Sequence, residues 1–145
     1  VLGLSYKPDS HVIEESQGVA IARHLSRNGM RVVAFDPMSA DMQIEELRRE
    51  IVVLNSIEEC LSQAEAVLIT TPDKAFTSLT PDDFRNQWAN VLVVDFWRLL
   101  REKLEKQPHI QYVGIGLSEN DVNNTARLKA IWCGDNSTEK GTAAE

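Results

Sequence analysis

The chain is short of the residues that would make it a disulfide scaffold, a metal protein or a nucleic-acid binder. It has two cysteines in 145 residues, Cys60 and Cys133, far apart and in no Cys-x-x-Cys pair. That argues against a disulfide framework and supplies no zinc-ligand spacing. Lys and Arg number 15 against 22 Asp and Glu, a formal net charge of −7. No run is basic, so the footprint of a non-specific nucleic-acid binder is missing. An anionic small ligand stays open, because a few placed cations outweigh a diffuse negative field at short range. No stretch approaches the roughly 20 apolar residues of a membrane span, and nothing reads as a signal peptide. The Asn-x-Thr triplets starting at Asn123 and Asn136 then read as chance matches. The expected compartment is a reducing cytoplasm. Glycine is also scarce where it would matter most: the first strand–helix turn has none between Gly3 and Gly18. The dinucleotide fingerprint needs glycines there so that a pyrophosphate can reach the backbone.

What is present reads as one domain with a proper core, at 43% hydrophobic and 26% charged residues. Short apolar strands are expected at 1–5, 31–35, 51–54, 66–70, 91–94 and 110–113. Helical stretches fall between them. Ser16 is the expected N-cap of the first, with Val19, Ala20 and Leu25 as its apolar anchors and Asn28-Gly29 as its end. A charged, exposed helix is expected over 41–49, a short one capped by Ser56 through 61, and a turn at 74–79. Another starts at Thr80-Pro81 and runs to about 88, and a last one covers 99–106. Six strands alternating with helices predict an α/β fold: a doubly wound, mostly parallel six-stranded sheet with helices on both faces, a Rossmann-like sandwich. One domain is expected over 1–133, including a further helix at 120–132, and a disordered tail over 134–145.

Ligands on such sheets gather beyond the carboxyl ends of the strands. Lys7 after the first strand and Arg98 after the fifth are the favoured pair, a point charge and a planar fork suited to phosphate. Solvated surface cations remain the plain alternative. Asp36 stands where a ribose-binding acid would stand, but without the glycines an Asp-Pro turn is preferred. Gly114-x-Gly116 reads as a turn. Trp97 is open between a pocket wall and core, while Trp88 is expected to pack on the sheet. Among His11, His24 and His109 only His11 could face a ligand, and no Ser/His/Asp arrangement has elbow spacing. Cys60 reads as a buried structural thiol.

The motifs then converge on a family. Gly3-Leu-Ser-Tyr-Lys-Pro-Asp-Ser10 followed by Glu15-Ser16 resembles the opening of the C-terminal, UDP-binding domain of the UDP-glucose/GDP-mannose dehydrogenase family. Val33-Ala-Phe-Asp-Pro37, Ala66-Val-Leu-Ile-Thr-Thr71 and Val94-Asp-Phe-Trp-Arg98 resemble later motifs, in order, so the likeness spans about residues 1–116. The opening run begins mid-strand without a methionine and reads as a piece of a larger protein. The resemblance implies the substrate domain of an enzyme that oxidises a nucleotide-sugar C6 alcohol to a carboxylate in two NAD-dependent steps. It implies substrate contacts from Tyr6, Lys7 and Arg98, and a UDP- or GDP-sugar as ligand. It implies a parent enzyme that is a homo-oligomer, with Arg98 reaching a neighbour's substrate or across the cleft. NAD and the catalytic cysteine would belong to N-terminal and central domains that this chain lacks. No catalytic residue is assigned here, and that cysteine's role passes to neither Cys60 nor Cys133.

One departure stands out. The family carries an arginine seven residues after the lysine, where this chain has Glu14, and its acidic pair is replaced by His11-Val12. Glutamate would repel a pyrophosphate. The competing expectation is therefore a divergent, non-catalytic α/β interaction module. An autonomous Rossmann dehydrogenase is disfavoured by the missing glycines.

Overall fold

The computed structural model describes residues 1–116. Helices and strands alternate along them as α1 (Gln17–Arg27), β1 (Val33–Ala34), β2 (Val52–Val53), α2 (Ile57–Ser62), β3 (Ala66–Ile69), α3 (Lys74–Thr77), β4 (Val91–Asp95), α4 (Arg101–Leu104) and β5 (Ile110–Gly114). Short 3₁₀ turns cover Leu47–Arg49 and Pro81–Phe84. β1 pairs with β2, β3 with β4 and β4 with β5, all parallel. The expected α/β class with parallel strands holds.

The expected single six-stranded sheet does not. Among the described residues there are five strands in two sheets, β1-β2 and β3-β4-β5. The strand expected at 1–5 shrinks to Leu2, which makes isolated parallel bridges to Phe35 on one side and Ile69 on the other. Leu2 N donates to Leu68 O at 2.8 Å, and Gly3 N donates to Phe35 O at 2.9 Å. The run then stops for two reasons. Gly3 takes φ +107, which turns the chain out of the extended region. The next two donors, Leu4 N and Ser5 N, go to Asp36 Oδ2 at 2.7 and 2.9 Å rather than to a neighbouring strand.

Local signals set most helix ends. The Ser16 hydroxyl accepts from Val19 N at 3.3 Å, and the Ser56 hydroxyl accepts from Glu59 N at 3.2 Å. Gly29 closes α1 at φ +84. Two longer expectations fail. Over 41–49 only Leu47–Arg49 is helical, as a 3₁₀ turn. Met42, Ile44 and Leu47 are all buried there, a spacing that a regular helix cannot turn to one side. The helix expected from Thr80 to about 88 ends at Phe84. Beyond it the Asn86 amide donates to Leu61 O and Ala64 O at 2.9 and 2.8 Å, which fixes the chain in a turn.

Two cores follow from strand alternation. Val33 joins Leu2, Val67, Ile69, Val91 and Val93 in one, against Cys60 and Leu61 of α2, Phe76 of α3 and Leu104 of α4. Phe35 meets Phe76 edge to face, with ring centroids 6.5 Å apart. Val32 and Ala34 join Val19 and Ala22 of α1 in the other, with Ile44 and Leu47. Ala20, expected to anchor α1, is exposed, and Ala22 takes its place. The second core takes no residue from β3, β4 or β5. Helical cover on both faces therefore holds at β1 and not, among the described residues, across the whole structure. Val1–Ile115 form one compact unit. The expected domain boundary at 133, the helix at 120–132 and the tail at 134–145 lie outside the described residues.

Candidate functional site

The carboxyl ends of the strand segments carry a buried polar frame. Asp36 follows β1 and is 1% exposed. Its Oδ2 accepts from Leu4 N and Ser5 N, and its Oδ1 accepts from Met38 N at 2.8 Å. A carboxylate so occupied and so buried holds the first turn in shape and is not presented to a ribose. Thr70 and Thr71 follow β3. The Thr70 hydroxyl lies 2.7 Å from Gly3 O, and the Thr71 hydroxyl donates to Ser5 O at 3.2 Å. The glycines allow this close packing. A Cβ on Gly3 would come within 2.5 Å of Thr71 Oγ1, and a Cβ on Gly18 within 2.8 Å of Thr70 Oγ1.

Asp95 ends β4 and is fully buried. Its Oδ1 accepts from Trp97 N at 3.1 Å, and its Oδ2 accepts from Leu100 N at 2.9 Å and from the Tyr112 hydroxyl at 3.1 Å. Burial, and then the adjacent Asp95 carboxylate, push the Tyr112 hydroxyl above the usual tyrosine range, so it stays a donor. The Trp97 indole N–H donates to Thr70 O at 2.9 Å. The residue is nevertheless 55% exposed, so Trp97 lies at the carboxyl-end edge of the strands and not in the core.

These bonds decide where the expected site residues stand. Ser5 is tied to Thr71, and Thr70 to Trp97, so the loops after Leu2, β3 and β4 are joined through two consecutive threonines. Tyr6 and Lys7 follow Ser5 directly, and Arg98 follows Trp97. All three are exposed, Tyr6 at 62%. Neither Lys7 nor Arg98 spends its charge on a hydrogen bond or ion pair among the described residues. Arg98 takes φ +59, a left-handed conformation unusual for a residue with a Cβ.

The remaining candidates resolve plainly. His11 and His24 are exposed, and His109 Nε2 lies 3.0 Å from Pro81 O. Cys60 is 2% exposed, and burial pushes its thiol up, as an inert structural cysteine requires. Trp88 is 40% exposed and does not pack fully on the sheet as expected, because the Asn86 turn carries it outward. Gly114 ends β5, and Gly116 takes φ +78. No group of three or more metal-ligating side chains occurs among the described residues. No helix among them is long and apolar enough to cross a membrane.

A cleft of about 650 Å³ lies elsewhere, beside the start of α1, with Glu14, Glu15, Glu45 and Glu46 on its walls. The N-terminus of α1 is where a Rossmann turn would hold a dinucleotide pyrophosphate. Here two glutamates precede its cap, and Asp36 has taken the N–H groups of Leu4 and Ser5. These residues do not fit NAD. Sequence reasoning missed Gly18 and Tyr112. A glycine two residues past an N-cap was a readable sign of close packing for the first, whereas nothing marks a mid-strand tyrosine.

The sequence profile of the UDP-glucose/GDP-mannose dehydrogenase family, UDP binding domain, matches residues 1–102. A UDP-glucose 6-dehydrogenase of Rhizobium meliloti (strain 1021) is 28% identical over 119 residues, covering 80% of this chain and 26% of the relative. A UDP-N-acetyl-D-mannosamine dehydrogenase of Methanococcus aeolicus is 25% identical over 123 residues, covering 81% and 26%. The structure of a UDP-glucose dehydrogenase from the hyperthermophilic archaeon Pyrobaculum islandicum superposes with a TM-score of 0.62 at 28% identity, covering 81% of this chain and 24% of that one. The chain thus spans about a quarter of the length of these relatives.

Proposed function

This chain belongs to the UDP-glucose/GDP-mannose dehydrogenase family of oxidoreductases, as its UDP-binding domain, and we propose that it holds the UDP-sugar substrate of a nucleotide-sugar 6-dehydrogenase. The parent enzyme oxidises the sugar C6 alcohol to a carboxylate with NAD. In this reading Lys7 and Arg98 bind the diphosphate. The ammonium supplies a point charge, and the guanidinium supplies a fork that can take two phosphate oxygens. Tyr6 offers an exposed ring beside them, and Trp97 walls the edge. The observation that supports the reading is the stitching of three loops through Thr70 and Thr71, with the exposed cations Lys7 and Arg98 following two of the joined residues. UDP rather than GDP is supported by the relatives, whose names are those of UDP-sugar enzymes.

NAD belongs to other parts of the parent enzyme, since the first turn here is closed by Asp36 and faced by Glu14 and Glu15. The catalytic cysteine belongs there too, so the isolated chain binds without turnover. In the parent, a homo-oligomer places Arg98 at a substrate shared with a neighbouring subunit or across the cleft.

The test is a calorimetric or thermal-shift titration with UDP, GDP and NAD separately. UDP at 100 times its dissociation constant should stabilise the fold by about 2.7 kcal/mol. GDP and NAD should do much less. Lys7→Ala should weaken UDP binding by about 1–2 kcal/mol, roughly five- to thirtyfold, with melting nearly unchanged. Unchanged affinity sinks the assignment of Lys7. Silence to all three ligands leaves the interaction-module reading in its place.

A further inference from the structure

The Arg98 loop is held from both ends by one carboxylate. Trp97 N and Leu100 N, on either side of Arg98, both donate to Asp95. Asp95 is fully buried and stands one residue before the loop begins. Between the two bonds, Arg98 takes the left-handed conformation at φ +59. L-residues avoid that region, and it persists only where surrounding bonds over-determine it. A carboxylate that closes a loop does so only if it is itself held in one rotamer. Of the three donors on Asp95 among the described residues, two belong to the loop being held. The third, the Tyr112 hydroxyl on β5, comes from outside it, at 3.1 Å. The Tyr112 ring packs against the main core, so the hydroxyl is aimed from a fixed base.

We propose that Tyr112 is a positioning residue for Arg98: through Asp95 it locks the left-handed loop and presents the guanidinium before the ligand arrives. The inference rests on the UDP-site reading above. A preformed loop spares the ligand the entropy of ordering it, so loosening the loop appears as lost affinity. A tyrosine that serves only as core packing predicts the opposite, because phenylalanine keeps the ring.

The experiment uses the whole chain as wild type, Tyr112→Phe, Arg98→Ala and the double variant. UDP titration is paired with amide hydrogen exchange of Trp97 and Leu100 in the absence of ligand. Tyr112→Phe should accelerate exchange at Leu100 and weaken UDP binding by about three- to tenfold. In the Arg98→Ala background the same substitution should change affinity little, because the loop then presents nothing. Equal losses in both backgrounds, or no loss with Arg98 present, overturn the proposal. If the wild type itself fails to bind UDP, the UDP-site reading fails and takes the ligand half of the proposal with it. Exchange at Leu100 then decides the holding of the loop alone, and an unchanged rate overturns that as well.

Discussion

Replacing Gly18 by alanine sets two effects of opposite sign against each other. Gly18 is the second residue of α1, and alanine there gains up to about 1 kcal/mol of helix propensity. Against that, a new Cβ would overlap the Gly3 carbonyl oxygen and sit 2.8 Å from Thr70 Oγ1. The carbonyl cannot retreat freely. Gly3 N is bonded to Phe35 O, the Thr70 hydroxyl lies against Gly3 O, and the next two amides are bonded to Asp36. Overpacking of this kind costs about 1–3 kcal/mol. A broken Thr70–Gly3 bond adds about 0.5–1.5 kcal/mol. The clash should win, leaving a net loss of about 0.5–3.5 kcal/mol, read by urea denaturation as a lower midpoint at unchanged slope. Ala20→Gly on the same helix is the control. Ala20 is exposed, so that change should cost only the propensity, about 1 kcal/mol. A Gly18→Ala variant more stable than wild type would refute the packing of α1 against the first turn, and with it the account of how Tyr6 and Lys7 are placed.

Other outcomes follow from the same contacts. Asp36→Asn puts an amide donor against backbone N–H groups that now find acceptors, and should cost about 1–3 kcal/mol in the same denaturation assay. Tyr112 has a folded-state pKa raised above its unfolded value near 10, by burial and then by Asp95. Its contribution is therefore fully present below about pH 10 and is lost as pH rises toward the folded value. Its phenolate absorbance should appear late, together with unfolding, and Tyr112→Phe should remove that late phase. Glu50 is lowered chiefly by its hydrogen bond from Arg27. Its contribution is present above the usual glutamate value near 4.3 and fades as pH falls through the folded value. Glu50→Gln should flatten the melting temperature over that acid window, and added salt should shrink the difference.

Much of this was legible from local chemistry. Residues 66–70, 91–94 and 110–113 read as strands and form β3, β4 and β5 to within a residue. Ser16, Ser56 and Gly29 cap where short-range hydrogen bonding and backbone freedom require. Membership of the family was carried by motifs in order, and none of those motifs needs a tertiary contact to be read. Two of the failures share a cause. The first strand is cut short by a carboxylate 31 residues away, and the helix after Thr80 by an asparagine amide that reaches Leu61 and Ala64. No periodicity within either segment reports such partners.

For the candidate site the division is sharper. Sequence alone determined that Lys7 follows the first apolar run and Arg98 the run that forms β4, because an apolar run and the polar residues after it are read locally. Only the tertiary structure decided that their loops are joined. The bonds that join them, Thr71 to Ser5 and Trp97 to Thr70, span 66 and 27 residues. The left-handed turn of Arg98 likewise depends on Asp95 and on Tyr112, a residue from the neighbouring strand. Side chains that satisfy buried backbone groups choose their partners by proximity in the folded chain, and that proximity exists only once the sheet has brought the strands side by side.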